Sequence, residues 1–364
     1  MKNKKKNILK LAAITLAAAL AAMTFAGCSG TQNGSADDEK TLNLFTYDGY
    51  VPQDVLDGYT EQTGVHVNYT NFESNEEMLA KLQAADGGDY DIIICSDYMI
   101  DLMRQEGGLI RELDTSKLSN YGNIDPAYQS QFYDPDNQYT IPYAPGVPLI
   151  VYNPETCPVE IEGYADLWNP ELADSLVVMD SSRIMVGITL KTMGKSMNET
   201  DPEVLGEAEE KLLELKPNVR TMAVNDLDTV LTSGEASVGF MYTSQVAKAL
   251  EANPDLKVVY PKEGLGFGID CIVVPENAPH ADNAYSFIDY CLDPEIGAKI
   301  SSEILYLCPN QASVEYLPAD FRETLSLPEE KLQNVEFIKD VGDVANEYER
   351  IWTAFKQAKK REKS

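Results

Sequence analysis

Short apolar stretches alternate along the chain with longer amphipathic ones, and this alternation predicts its elements before any composition is weighed. Leu42–Phe45 predicts a first strand, Val51–Gln62 a helix and Val65–Tyr69 a second strand. The next helix carries its own signals. In Ser74-Asn75-Glu76-Glu77 the Ser hydroxyl can take the Glu77 amide while Glu77 reaches back, and Met78, Leu79 and Leu82 then fall on one helical face before Gly87-Gly88 stops it. The unbroken Ile92-Ile93-Ile94 inside Asp91–Cys95 predicts a strand buried on both faces, as a parallel sheet covered by helices requires. Strand, helix, strand, helix, strand predicts a right-handed α/β unit.

The pattern then restarts. Leu149–Tyr152, Leu176–Met179, Ser237–Met241, Val258–Tyr260 and Cys271–Val274 predict strands, with helices over Val204–Leu215, Ser244–Ala252 and Ala281–Cys291. Two α/β lobes result, with a crossover near Pro142–Gly146 and a return near Gly268–Ile272. Ligands of open parallel sheets bind beyond the carboxyl ends of the strands. The candidate segments are therefore Thr46–Tyr50, Ser96–Tyr98, Asp180–Arg183, Tyr242–Ser244 and Gly264–Asp270.

The first thirty residues stand apart. Lys2, Lys4, Lys5, Lys6 and Lys10 precede an apolar, Ala-rich run from Leu11 to Phe25, too short for a membrane span of roughly 20 strongly apolar residues. Phe25-Ala26-Gly27-Cys28 has the form of a lipoprotein cleavage site, with small residues before the cysteine. The reading is a signal peptide over 1–27, lipidation at Cys28 and a polar tether over 28–40 that holds the body outside the membrane. An ordinary signal peptide with an incidental Cys28 is the alternative.

Removing the leader's five lysines leaves 24 basic residues against 59 acidic ones. Such a body repels phosphate backbones and anionic lipid, which excludes nucleic acid as a partner and favours cationic ligands. Cys95, Cys157, Cys271, Cys291 and Cys308 show no CxxC or metal spacing, so buried thiols or a single disulfide remain open. His66 and His280 are the only histidines, each in a bland strand or turn setting, and neither GxSxG nor a phosphate-binding GxxxxGK[ST] occurs. No cofactor or metal is implied, and a hydrolase has no candidate nucleophile. Gly264-Leu265-Gly266-Phe267-Gly268 runs into a strand and not a helix, so it reads as a hinge or tight turn. Asp134-Pro135-Asp136-Asn137 lacks the sixth-position Gly and the closing Glu of a calcium loop.

Further segments run collinearly through the chain: Phe72–Met78, Tyr90-Asp91, Ser96-Asp97-Tyr98, Met103–Gly107, Ile141-Pro142-Tyr143, Ala165–Trp168, Thr200-Asp201-Pro202, Tyr260–Gly264 and Cys308-Pro309-Asn310. In these the chain resembles the periplasmic spermidine/putrescine-binding proteins of ABC importers. The resemblance implies an α/β, two-lobed periplasmic-binding-protein type II fold with a hinge and an interlobe ligand cleft. Lobe 1 would take 41–145 and 270–318, and lobe 2 would take 146–269 and 319–364.

In that family a polyamine lies between the lobes, its methylenes against aromatic rings and its ammonium groups on carboxylates. A buried ammonium without a counter-charge is very costly, and ring faces attract cations by about 0.5 to 2 kcal/mol each. Carried over by position, the aromatic places fall on Tyr47, Tyr50, Tyr98, Tyr242 and Tyr306, with Ser96 as a hydrogen-bonding neighbour and Asp270 as the central carboxylate. The family's first-loop Trp is Tyr47 here, and the acid two residues on is Gly49, with Asp48 one position early. The Glu after Arg183 is Ile184, another Trp is Gly268, and the late Gln has no counterpart near Ile338–Asp340. Ser181 and Arg183 stay in the candidate set, and Asp48 or Asp180 is the candidate to replace a lost acid. Arg183 has two readings, a brace for the lobe or a partner for a ligand carboxylate. The implied partners are a small cationic amine and a permease in the same membrane, with a monomeric receptor. A different cationic or zwitterionic amine is the alternative ligand.

Overall fold

The computed structural model describes residues 38–319 and 334–359. The leader and Cys28 lie outside these residues. The chain divides after Thr41 into two compact units, and of the leading one only the turn Asp38–Lys40 and Thr41 are described. The second unit is the body of the protein, from Leu42 onward.

The first stretch runs β1 (Thr41–Thr46), α1 (Gln53–Thr63), β2 (His66–Asn71), α2 (Asn75–Ala84) and β3 (Ile92–Ser96), the order the apolar pattern predicts, and then α3 (Asp97–Glu106). Next come β4 (Ile141–Gly146), β5 (Pro148–Tyr152), β6 (Leu176–Met179), α4 (Ser182–Thr192), α5 (Pro202–Leu215), β7 (Val219–Ala223), α6 (Leu227–Thr232), β8 (Val238–Tyr242), α7 (Thr243–Ala252) and β9 (Lys257–Val259). The chain ends with β10 (Leu265–Val273), α8 (Ala281–Cys291), α9 (Pro294–Ile304), β11 (Val335–Phe337) and α10 (Ala345–Gln357).

Two sheets result. In the first, β2, β1, β3 and β10 lie side by side, with β11 and β4 also paired to β10. β1 and β3 are parallel, whereas β10 runs antiparallel to β3, with Asp270 opposite Ser96, and to β4, with Gly268 opposite Gly146. The second has the order β7-β6-β8-β5-β9, where β6 is parallel to β7 and β8, and β5 is antiparallel to β8 and β9. The chain changes sheet at Val147, the single residue between β4 and β5.

Alternation explains the double-sided burial of β3. Ile92 and Ile94 join Leu42, Leu44, Val55, Tyr59 and Ile288 in one core, while Ile93 and Cys95 join Phe45, Met99 and Met103 in another. Ser74 caps α2 as its sequence predicts, its Oγ accepting from Glu77 N at 3.1 Å; Glu77 reaches back one residue further, to Glu73 N at 3.0 Å.

Several expectations change. The glycine-rich segment is not a hinge loop, because Leu265–Gly268 is already strand and only Gly264 turns, at φ 102°. A Cβ there would lie 2.4 Å from Asn334 O, so glycine is required. The five cysteines are all free thiols, with Cys95, Cys271 and Cys291 buried, and the disulfide alternative falls. His280 is not bland, since its ring Nδ1 lies 2.9 Å from Oδ2 of the fully buried Asp91. The Asp134 carboxylate is taken up by Gln138 N, Tyr139 N, Thr140 N and Thr140 Oγ1, each at 2.9 Å. Trp352 is buried and stacks on Phe355 at 4.9 Å, and Trp168 Nε1 donates to Lys211 O at 2.8 Å, the packing roles their places in the sequence suggest.

Candidate ligand-binding site

The turn after β1 is shaped by Gly49 at φ 67° and by Tyr143 Oη, which donates to Tyr50 O at 2.7 Å. It presents Tyr47 and Tyr50 edge to face, 5.3 Å between centroids. Tyr50 Oη donates a short hydrogen bond to Asp270 Oδ2, and Tyr306 meets the Tyr50 ring edge-on at 5.8 Å. One contact therefore joins the first loop to the crossing strand β10.

Asn75 organises the other wall. It stands at the first turn of α2, 7 % exposed; its Oδ1 accepts from Tyr47 Oη at 3.0 Å, and its Nδ2 lies 3.1 Å from Ser96 Oγ and 3.0 Å from Tyr98 Oη. Tyr98 Oη also donates to Glu76 Oε1 at 3.2 Å. From the second sheet, Tyr242 enters at the end of β8, where burial first and then the nearby Asp270 charge push its hydroxyl up.

Burial pushes the Asp270 carboxyl up, while the Tyr50 and Ser96 hydroxyls pull it partly back. Tyr306 is pushed up to about 12 by burial and then by the Asp270 charge. Tyr50 is raised well above the ordinary tyrosine range, first by burial and then by Asp270. The tyrosines are thus neutral donors and ring faces, and the fixed charge is negative.

Tyr47, Tyr50, Ser96, Tyr98, Tyr242, Asp270 and Tyr306 are thereby gathered into one cluster. Three candidates are engaged elsewhere. Asp48 is exposed and accepts from Asn71 Nδ2 at 3.3 Å. Ser181 Oγ caps α4, accepting from Ile184 N at 3.5 Å. Arg183 braces the lobe, pairing with no carboxylate among the described residues: it donates to Met197 O at 3.1 Å, to Asn198 Oδ1 at 2.8 Å and to Lys339 O at 2.8 Å, and its guanidinium lies 4.6 Å over Tyr348. Asp180 is likewise occupied, accepting from Trp352 Nε1 at 2.6 Å and pairing with Lys356 at 3.1 Å. Sequence reasoning did not single out Asn75, which bonds Tyr47, Ser96 and Tyr98, or Asp97, whose carboxylate accepts from Ile269 N on β10 at 3.1 Å. Asn75 was hidden inside a capping box, and Asp97, adjacent to Ser96, carried no signal beyond that adjacency.

Two α/β sheets with an aromatic and acidic cluster contributed from both make this chain similar in fold to the two-lobed substrate-binding proteins of bacterial importers. The profile of the bacterial extracellular solute-binding protein family matches residues 54–326, and the chain belongs to that family. It is 34 % identical over 330 residues to the spermidine/putrescine-binding periplasmic protein of Escherichia coli K12, covering 90 % of this chain and 94 % of that one. The putrescine/cadaverine-binding protein of Pseudomonas aeruginosa is 28 % identical over 331 residues, covering 86 % and 93 %. Among solved structures, a putative spermidine/putrescine ABC transporter from Listeria monocytogenes superposes with a TM-score of 0.81 at 31 % identity, over 87 % of this chain and 99 % of that one. The spermidine/putrescine substrate-binding protein of Streptococcus pneumoniae gives 0.77 at 31 % identity, over 87 % and 98 %. No helix among the described residues is long and apolar enough to cross a membrane.

Proposed function

We propose that this receptor captures polyamines of the putrescine and spermidine kind outside the cell and hands them to an ABC permease, without catalysing a reaction. The observation that carries this reading is Asp270, half-buried among tyrosines, with no ion-pair partner among the described residues. A carboxylate so placed lacks a counter-charge that a bound ammonium supplies. The names of the relatives support the same ligand class. A zwitterionic ligand loses support because Arg183, its candidate partner, already donates to Met197, Asn198 and Lys339. A surface hydrolase gains none, with His66 exposed on β2 and His280 tied to Asp91.

The lobes in this reading are 41–145 with 270–318, and 146–269 with 319–364. They close around the ligand by rotation at β4 and β10, and the closed form is what the permease recognises. Cys28, lipidated, anchors a monomer to the membrane surface through the 28–40 tether. A thermal-shift panel of putrescine, spermidine, spermine, GABA, thiamine and amino acids tests the ligand class, since a ligand of the folded state raises the melting temperature. Putrescine or spermidine is expected to shift it; no shift from either at millimolar concentration would make the polyamine assignment wrong.

A further inference from the structure

Gly268 and Gly146 face each other across the antiparallel β10–β4 pair, and residues directly opposite in such a pair point to the same side of the sheet. Above Gly146 a side chain has no room: a Cβ would lie 2.8 Å from Tyr306 Cε1 and 3.6 Å from Thr243 Oγ1. Above Gly268 the space is open. Among the described residues, the only atoms within 4 Å of a Cβ there are the two carboxylate oxygens of Asp97, at 3.9 and 4.0 Å. Two glycines thus make a floor bordered by a ring, a hydroxyl and a carboxylate.

Both polar groups at its edge lack a partner that their chemistry calls for. Thr243 is 2 % exposed, and its hydroxyl has no hydrogen bond among the described residues. A buried hydroxyl left so is costly unless something fills the place. Asp97 is 1 % exposed, and its oxygens accept from Tyr98 N at 2.8 Å and Ile269 N at 3.1 Å. These amides aim the carboxylate and leave each oxygen a further lone pair. Burial pushes the Asp97 carboxyl up, the Ile269 amide pulls it back, and the Asp270 charge pushes it up again. A cation seated on the floor would meet both the Asp97 carboxylate and the Thr243 hydroxyl.

Resting on the polyamine reading above, we infer that the Gly146–Gly268 floor seats a terminal ammonium of the ligand, held by the Asp97 carboxylate and the Thr243 hydroxyl against Tyr306, while Asp270 holds a second ammonium. Gly268 and Asp270 are two residues apart on one face of β10, on the order of 7 Å along the strand. The pair of anions therefore selects short alkyl diamines over monoamines of the same length. Gly268, which leaves the space above it open, is the residue that makes the seat.

Calorimetry on the full chain with putrescine and with n-butylamine tests this. Thr243→Val removes an unbonded hydroxyl, and Gly268→Ala places a methyl at ordinary contact distance from Asp97, so neither variant is expected to melt below the wild type. Each should weaken putrescine binding about five- to tenfold and leave n-butylamine unchanged. Asp97→Asn should erase the preference for the diamine. If Thr243→Val and Gly268→Ala bind putrescine as tightly as the wild type, the seat is refuted while the polyamine reading stands. A wild type that binds neither amine ends both.

Discussion

Asp91 and His280, 189 residues apart in the chain, are joined by two hydrogen bonds, from the His280 backbone N to Oδ1 and between ring Nδ1 and Oδ2. Asp91 is fully buried, and Oδ2 also accepts from Asn43 N at 2.7 Å, so one carboxylate ties the start of α8 to the strands β1 and β3. His280→Ala takes one donor from a buried anion and should cost about 1 to 3 kcal/mol. Urea unfolding should show a lower midpoint at unchanged slope; an unchanged midpoint would mean that the ring contributes nothing.

Asp270→Asn keeps an acceptor for the Tyr50 hydroxyl but removes the charge. Putrescine and spermidine affinity should fall about 30-fold or more, the usual loss when a buried charge pair is truncated. Tyr242→Ala removes one wall of the cage and should cost less, between about 2- and 30-fold. Calorimetry that ranks the two in the opposite order would displace Asp270 from the centre of the site.

Proton linkage gives a third expectation. Asp270 is raised in the folded receptor, by burial first, and Asp97 is raised beside it. The empty folded state thus holds these protons more tightly than the unfolded chain. Their contribution to stability is complete below the ordinary carboxylate range and is lost as pH rises through the raised values. A bound ammonium favours the ionised form, so affinity should increase with pH across the same window and binding should release protons. Titrations at mildly acidic pH in two buffers of different ionisation enthalpy measure that release; equal heats in both would contradict it.

Arg183 should behave as a structural residue. Its three hydrogen bonds join α4 to Met197, Asn198 and Lys339, and its guanidinium packs on Tyr348 of α10. Arg183→Ala should lower stability by about 2 to 4 kcal/mol. Measured below its own melting temperature, the variant should bind polyamine within about threefold of the wild type. A large loss of affinity in a variant of normal stability would return Arg183 to the ligand.

The first sheet was legible because its signals are local. Ile92–Ile94 reads as a two-faced strand, and Ser74 with Glu77 marks the start of α2, whatever the rest of the chain does. α4 was not legible: Ile184, Met185, Val186 and Ile188 are apolar without an amphipathic period, because the helix is buried nearly all round. The N-terminal half of β10 was hidden by its glycines, which here let side chains of other elements approach the strand, as Met197 does at Gly266. At the site, Tyr47, Tyr50, Ser96, Tyr98, Tyr242, Asp270 and Tyr306 were named by position, and the fold brings them together. Ser181 and Arg183 belong to the same strand-end turn, yet their partners, Ile184 N, Met197 O and Lys339 O, are backbone groups that leave no mark in residue identity.

Val147 is wholly buried, and its carbonyl accepts from Thr243 N at 3.1 Å, so the lone residue between β4 and β5 is pinned at its own midpoint. A passage with so little slack cannot stretch or slide, and it leaves torsion as the motion open to it. Gly146, which precedes Val147 directly, belongs to the glycine floor inferred above to seat the ammonium. If the inferred seat is occupied at this floor, ligand and the angle between β4 and β5 are coupled, and a chain lengthened by a residue or two at Val147 is expected to bind its ligand without passing that change on.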